Sequence, residues 1–289
     1  MNASHAQPLK GRGALITGAN TGIGRVTALE LAGQGAKVFL ACRSRERTQP
    51  VVDVVRGLNP AAPAEWLPLD LGDFTSVRAC AQAFLARGLP LHLLINNAGL
   101  GGFRGSTASG FELAFGVNHM GHFLLTQLLL DRLKGSAPAR IVTVASRAHT
   151  RVRGIDFAAV RRPTASMLSI REYGVSKLAN VLFSAELGRR LQGTGVNTYS
   201  LHPGVVDSEI WRRLPAVMRA VMRLGMITPQ EGATTTLHCA TSLAVAAETG
   251  LYYSDCAARL PSAAGRDPAL AADLWRHSEQ WAAAVPAGA

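Results

Sequence analysis

Short, almost wholly apolar runs alternate with helix-length amphipathic segments along most of this chain. Gly13 to Thr17 (GALIT) is the first run and ends in a glycine-rich turn. A helix pattern follows over Ile23–Gln34, with Gly35 where a C-terminal cap belongs. Further strands are predicted at Lys37–Ala41, Trp66–Leu69, Leu91–Ile95, Arg140–Ala145 and Asn197–Leu201. Helices are predicted over Ser76–Arg87, over Phe111–Leu133 as one long or two consecutive segments, and over Tyr173–Leu191. Strands without a polar face belong in a parallel sheet covered on both sides by helices. Two βαβαβ halves with a glycine turn after the first strand make the doubly wound, or Rossmann, α/β fold.

With 289 residues, 48% of them hydrophobic, the chain can bury one large core, and no composition break or repeat divides it. A single domain over 1–289 is therefore expected. The alternation is interrupted twice, near 147–170 and 209–228, after the fifth and sixth strands. Insertions at that edge of a parallel sheet build substrate sites. Met1 to Leu9 is short and polar, and no stretch of about 18 apolar residues occurs, so a cytoplasmic protein without a transmembrane segment is expected. Cys42, Cys80, Cys239 and Cys256 are scattered, which points to free thiols rather than a disulfide framework or zinc site. The net charge of +11 comes mostly from arginine and favours anionic partners. The arginines are dispersed, with no basic run interleaved with aromatics, so no nucleic-acid partner is expected.

Thr17-Gly18-Ala19-Asn20-Thr21-Gly22-Ile23-Gly24 closes the first strand and opens a helix. Glycines there let backbone approach a pyrophosphate, and the helix N-terminus offers free N–H groups and partial positive charge. The spacing is G-x-x-x-G-x-G rather than G-x-G-x-x-G. A tight turn with no ligand is the competing reading, and the place between first strand and first helix argues against it. The second strand ends in Ala41-Cys42-Arg43, with Arg45 and Arg47 close behind. An NAD site puts a carboxylate there, whereas an NADP site supplies arginine for the 2′-phosphate, so Arg43 predicts NADP(H) over NAD(H). Tyr173 and Lys177 stand at i and i+4 on one helix face. A nearby fixed positive charge lowers a phenol from its ordinary value near 10 toward the working range of an acid/base. The pair alone is commonplace on helix surfaces. Asn96-Asn97-Ala98-Gly99, Asn118, Ser146 and Pro203-Gly204 give it weight, because each falls at the carboxyl edge of the sheet or just behind it.

In these motifs the sequence resembles the short-chain dehydrogenase/reductase family over nearly its whole length: T-G-x-x-x-G-x-G at Thr17–Gly24, N-N-A-G at Asn96–Gly99 and Y-x-x-x-K at Tyr173 and Lys177. Ala41-Cys42-Arg43, the run from Val117 to Thr126, Ser146-Arg147-Ala148-His149, the run from Ser176 to Phe183 and Leu201 to Val206 resemble its retinol dehydrogenase-like branch. The 27-residue step from Ser146 to Tyr173 is longer than is usual in the family and fits this branch.

The resemblance implies a reversible hydride transfer between NADP(H) and a lipophilic aldehyde or ketone and its alcohol. Tyr173 is then the general acid/base and Ser146 polarises the substrate oxygen. Lys177 tunes Tyr173 and grips the cofactor ribose, and Asn118 positions a water that connects Lys177 to solvent. Asp70, followed by Leu71, receives the adenine amino group, Asn97 to Gly99 flank the adenosine ribose, and Pro203, Val206 and Ser208 lie along the nicotinamide and pyrophosphate. A ketoreductase of a polyketide or steroid, and a non-catalytic NADP-binding regulator, are the alternatives. The family's habit of pairing through the helix bearing Tyr173 implies a homodimer. Ala145 stands where a first serine is usual, and the apolar N-terminal anchor of animal members has no counterpart here. His119 and His122 are expected in the core rather than on a metal, for want of a third ligand. Pro215 to Ile227, with Val217, Met218, Val221, Met222, Leu224 and Met226, is expected to form a lid over a greasy substrate, with peripheral membrane contact as a further reading.

Overall fold

A computed structural model describes residues 7–61, 64–206 and 226–284. Its centre is an eight-stranded sheet in the order β3-β2-β1-β4-β5-β6-β7-β8. The strands are β1 (Gly13–Thr17), β2 (Lys37–Cys42), β3 (Glu65–Pro68), β4 (Leu93–Asn96), β5 (Ala139–Val144), β6 (Val196–His202), β7 (Leu251–Ser254) and β8 (Ala257–Arg259). The first seven run parallel, and β8 closes the edge antiparallel to β7. The helices are α1 (Gly22–Gly33), α2 (Arg45–Leu58), α3 (Phe74–Leu85), α4 (Gly121–Lys134), α5 (Ile170–Arg190), α6 (Pro229–Thr241) and α7 (Pro268–Ala284). The expected doubly wound fold is present. Strand order reverses between β1 and β4, which places a ligand crevice at their carboxyl ends.

Both faces of the strands are apolar because both are covered. Leu15, Phe39, Leu67 and Leu94 pack with the residues of α3, α4 and α5 in one core. Their neighbours Ala14, Ile16, Val38, Leu40 and Ile95 point the other way, into a second core with Ala28, Leu31, Val51 and Val55 of α1 and α2. Every residue of β1 is buried, and the register Leu15↔Phe39 and Leu15↔Leu94 locks it between β2 and β4. Fully burying one such leucine or phenylalanine contributes about 1.5–3 kcal/mol.

Five elements among the described residues lie outside the predicted pattern. The first is α2, whose periodicity is broken by Pro50 and a polar first turn. It is held by Ser44, whose hydroxyl caps it by accepting from Arg47 N at 3.2 Å, and by Val51, Val52 and Val55 in the core. The others are α6, β7, β8 and α7, which follow residue 226 and complete the sheet and both helical layers. The segment over Phe111–Leu133 resolves as one helical path: a turn at Leu113–Phe115, a π turn at Gly116–Met120, then α4. The expected lid over 209–228 lies outside the described residues up to 225, as does Ser208.

Candidate active site

The glycine turn is fixed from beneath by Thr17. Its hydroxyl accepts from the backbone N–H groups of Asn97 and Ala98, both at 3.0 Å, and Asn97 Nδ2 donates back to Thr17 O at 2.8 Å. A Cβ added to Gly24 would sit 2.4 Å from both Gly18 O and Asn97 Nδ2, so α1 can pack this closely only with glycine there. Gly22 has φ +53 with open space where a side chain would be. Thr21 leaves the first turn of α1 without a side-chain cap, and no acid stands in that turn. Uncapped N–H groups beneath an open glycine fit a phosphate group. Arg43 follows β2 directly and is exposed, with no hydrogen-bond or ion-pair partner among the described residues. Arg45 and Arg47 are not in a loop but begin α2, and Arg45 lies over the Trp66 ring at 5.8 Å.

Other expected cofactor residues divide by burial. Asp70 is half-buried and its Oδ1 accepts from Gly72 N at 2.8 Å. Leu71 is a core side chain whose backbone abuts Gly121. Val206 is buried, pairs with Ile227, and would meet a Cβ on Gly232, as would Ile23. Pro203 and Gly204 are half-buried just beyond β6.

Asn118, Ser146, Tyr173 and Lys177 come together beyond β4 and β5. Lys177 is buried and its ammonium donates to Val144 O at 2.8 Å, with Nζ 5.7 Å from the centre of the Tyr173 ring. A Cβ on Gly99 would lie 3.4 Å from both Lys177 Nζ and Asn118 Oδ1. Asn118 Oδ1 accepts from Leu100 N at 2.9 Å, while its amide donates to Leu100 O and Ser176 Oγ, each at 2.9 Å. The Ser146 side chain stands near enough to Tyr173 to favour its ionised form. Burial pushes the Tyr173 phenol above its ordinary value, and the Ser146 side chain partly offsets that. This direction is opposite to the one expected from the lysine. The physical reason is that burial acts on both groups: the Lys177 ammonium is itself lowered to about 7.

Two buried histidines, invisible as functional residues in the sequence, hold the constellation. His122 Nε2 lies 2.8 Å from Thr17 Oγ1 and Nδ1 lies 3.0 Å from Asn118 O. It therefore ties the glycine turn to the π turn that carries Asn118, and burial lowers it to about 4, so it is neutral. His149 Nδ1 lies 2.7 Å from the Ser146 carbonyl, and Nε2 accepts from Ser262 N at 3.2 Å. An acceptor on one side and a donor on the other select the neutral tautomer protonated on Nδ1. Burial lowers this histidine too. His119 packs among Phe115, Phe123 and Phe183 with Nε2 3.0 Å from Ser278 Oγ. The described residues contain no cluster of three metal-ligating side chains.

Residues 12–218 match the family model for short chain dehydrogenase. The chain belongs to the short-chain dehydrogenase family. Human retinol dehydrogenase 11 is 46% identical over 271 residues, covering 92% of this chain and 84% of that protein. Bovine dehydrogenase/reductase SDR family member 13 is 44% identical over 284 residues, covering 96% and 75%. Similarity at this level, over both halves of the sheet, places this dehydrogenase in the retinol dehydrogenase-like branch. Among solved structures, an uncharacterized protein from Mycobacterium Paratuberculosis superposes with a TM-score of 0.76 at 32% identity, covering 97% of this chain and 96% of that one. A Pseudomonas aeruginosa RhlG/NADP active-site complex gives 0.67 at 28%, covering 87% and 96%. This short-chain dehydrogenase is an oxidoreductase of the CH–OH group that works with a nicotinamide cofactor. No helix among its described residues is long and apolar enough to cross a membrane.

Proposed function

We propose that this enzyme interconverts a lipophilic aldehyde or ketone and its alcohol, preferring NADP(H) to NAD(H). The observation that carries the cofactor reading is Arg43, without a partner among the described residues, just after β2 and beside the glycine turn, in the place where an NAD site needs an acid. The structural relative solved with NADP supports it. Gly18 to Gly24 would hold the pyrophosphate, Arg43 the 2′-phosphate, Asp70 and Asn97 to Gly99 the adenosine, and Lys177 with Pro203 and Val206 the nicotinamide end. The bound nicotinamide supplies or takes up the hydride.

The chain's own residues handle the proton and the charge. Tyr173 gives its phenolic proton to the carbonyl oxygen as the alcohol forms, and takes it back in oxidation. Ser146 donates to the same oxygen and stabilises the charge that develops there. Lys177, close to neutral pH in its own titration, is suited to resupply the proton to Tyr173, with Asn118 beside it on Gly99. The apolar surface of Val152, Met167, Leu168 and Ile170 next to this site supports a lipophilic substrate.

The test is steady-state reduction of a panel of neutral aldehydes and ketones. Wild type is expected to turn over with NADPH and poorly with NADH. Arg43→Asp should shift kcat/KM toward NADH, and Tyr173→Phe should lower kcat by about 10²–10⁴-fold while NADPH binding persists. Equal use of both cofactors by wild type defeats the assignment of Arg43; retained turnover in Tyr173→Phe defeats the mechanism.

A further inference from the structure

Between the 3-10 turn Arg147–Arg151 and the start of α5 lies an open groove of about 560 Å³. That volume is within the range of small-molecule pockets. Val152, Met167, Leu168 and Ile170 form its apolar wall, and Arg151 and Arg171 stand in the same lining. Met167, Leu168 and Ile170 are 81%, 59% and 52% exposed, a contiguous apolar patch that water disfavours. The wall is held in place: Glu172 accepts from Ser166 N at 2.9 Å and from the Ser166 hydroxyl. Ser169, at φ +49, turns the chain into α5, and Tyr173 N closes on its carbonyl at 2.9 Å.

The groove adjoins the reacting residues. Val152, one of its wall residues, would be 3.1 Å from a Cβ on Gly174, the neighbour of Tyr173, and Ile170 is one helical turn before Tyr173. Arg151 follows Ser146 within the same turn-rich segment. Both guanidinium groups are exposed and neither has a hydrogen-bond or ion-pair partner among the described residues. Asp156 is within electrostatic reach of Arg171 and is shared with Arg162, and the Glu172 carboxylate beside Arg171 is taken up by Ser166 of the lining. The groove therefore offers a greasy wall and a local excess of positive charge to whatever extends from Tyr173.

We infer that the groove receives the far end of the substrate and that Arg151 and Arg171 select a substrate whose apolar chain ends in a carboxylate. This rests on the carbonyl reductase reading above and adds its substrate class. Guanidinium groups pair with carboxylates through two parallel N–H···O bonds, and the apolar wall would bury the intervening chain. Because the arginines are solvent-exposed, the discrimination is modest and sensitive to salt.

The experiment compares a straight-chain aldehyde with its ω-carboxy counterpart of equal length, both with NADPH. Wild type should favour the carboxylated aldehyde about fivefold to tenfold in kcat/KM, mostly through KM, and the preference should shrink as salt is raised. Arg151→Gln/Arg171→Gln should abolish the preference while leaving turnover of the neutral aldehyde within about twofold, and Arg151→Lys/Arg171→Lys should retain part of it. A wild type that reduces both aldehydes equally, or a double variant that keeps the preference, overturns the inference alone. A wild type that reduces neither overturns the carbonyl reductase reading along with it. Sedimentation with phosphatidylglycerol vesicles that the Gln double variant abolishes, together with no substrate preference, would assign the arginines to a lipid surface and also overturn it.

Discussion

The two ends of the candidate active site are held by different means. At the proposed cofactor edge, short side chains pin main-chain groups in a tightly packed turn: the Thr17 hydroxyl accepts from the Asn97 and Ala98 N–H groups, Asn97 Nδ2 donates to Thr17 O, and Gly24 admits no larger residue. At the substrate edge, longer side chains do so: His149 clamps the Ser146 carbonyl to the Ser262 N–H, and Lys177 hangs from the Val144 carbonyl. Close packing around the glycine turn tolerates no change of shape but constrains little chemistry. Side-chain clamping leaves room for a variable pocket and concentrates its sensitivity in a few buried polar groups.

A large effect on both folding and cofactor affinity should come from crowding the glycine turn. Gly24→Val forces side-chain atoms into Gly18 O and Asn97, where overpacking costs about 1–3 kcal/mol. Thermal unfolding should therefore shift down and NADPH affinity should fall by at least roughly tenfold, if the same turn holds the phosphates as proposed. A variant with unchanged melting and unchanged cofactor binding would remove the contrast at its root.

An intermediate effect should follow at the other edge. His149→Ala takes the acceptor from the Ser262 N–H and leaves the Ser146 carbonyl with the backbone N–H of residue 149 at 3.2 Å in place of the ring, and kcat should fall about tenfold with NADPH affinity unchanged. His149→Asn, which keeps an amide near the position of Nδ1, should recover part of the loss. Equal falls in kcat and in cofactor affinity would show that the two edges are not separable.

The remaining test is a change of slope with pH. The folded protein holds the Lys177 ammonium at about 7, far below the ordinary 10.5 expected of the unfolded chain. Between those values the unfolded state binds the extra proton, so the fold gains stability as pH rises. Stability measured against pH for wild type minus Lys177→Met should move in favour of wild type between about 7 and 10.5. A flat difference would mean that Lys177 keeps its charge in the folded protein throughout that window.

Most of the fold was legible because its strands are two-sided: runs such as GALIT and RIVTVA have no polar face and fit only a covered parallel sheet. α2 was hidden by Pro50, since a proline inside a helical pattern reads as its end, and here tertiary burial of Val51, Val52 and Val55 outweighs it. The glycine turn, Tyr173, Lys177, Ser146 and Asn118 were legible as motifs in order. His122 and His149 were not, because a histidine in a run such as NHMGHF or SRAH carries no local sign of what its ring will meet 105 or 113 residues away.

The sequence by itself determined the doubly wound sheet, the family and the identity of the candidate reacting residues, because those follow from hydrophobic period and from motifs of fixed spacing. Tertiary structure alone decided the protonation and the support of those residues. Desolvation, which depends on everything packed around a group, raised the Tyr173 phenol, drew Lys177 down to about 7, and kept His122 and His149 neutral. It also decided that Arg151 and Arg171, twenty residues apart in sequence, share one groove beside Tyr173.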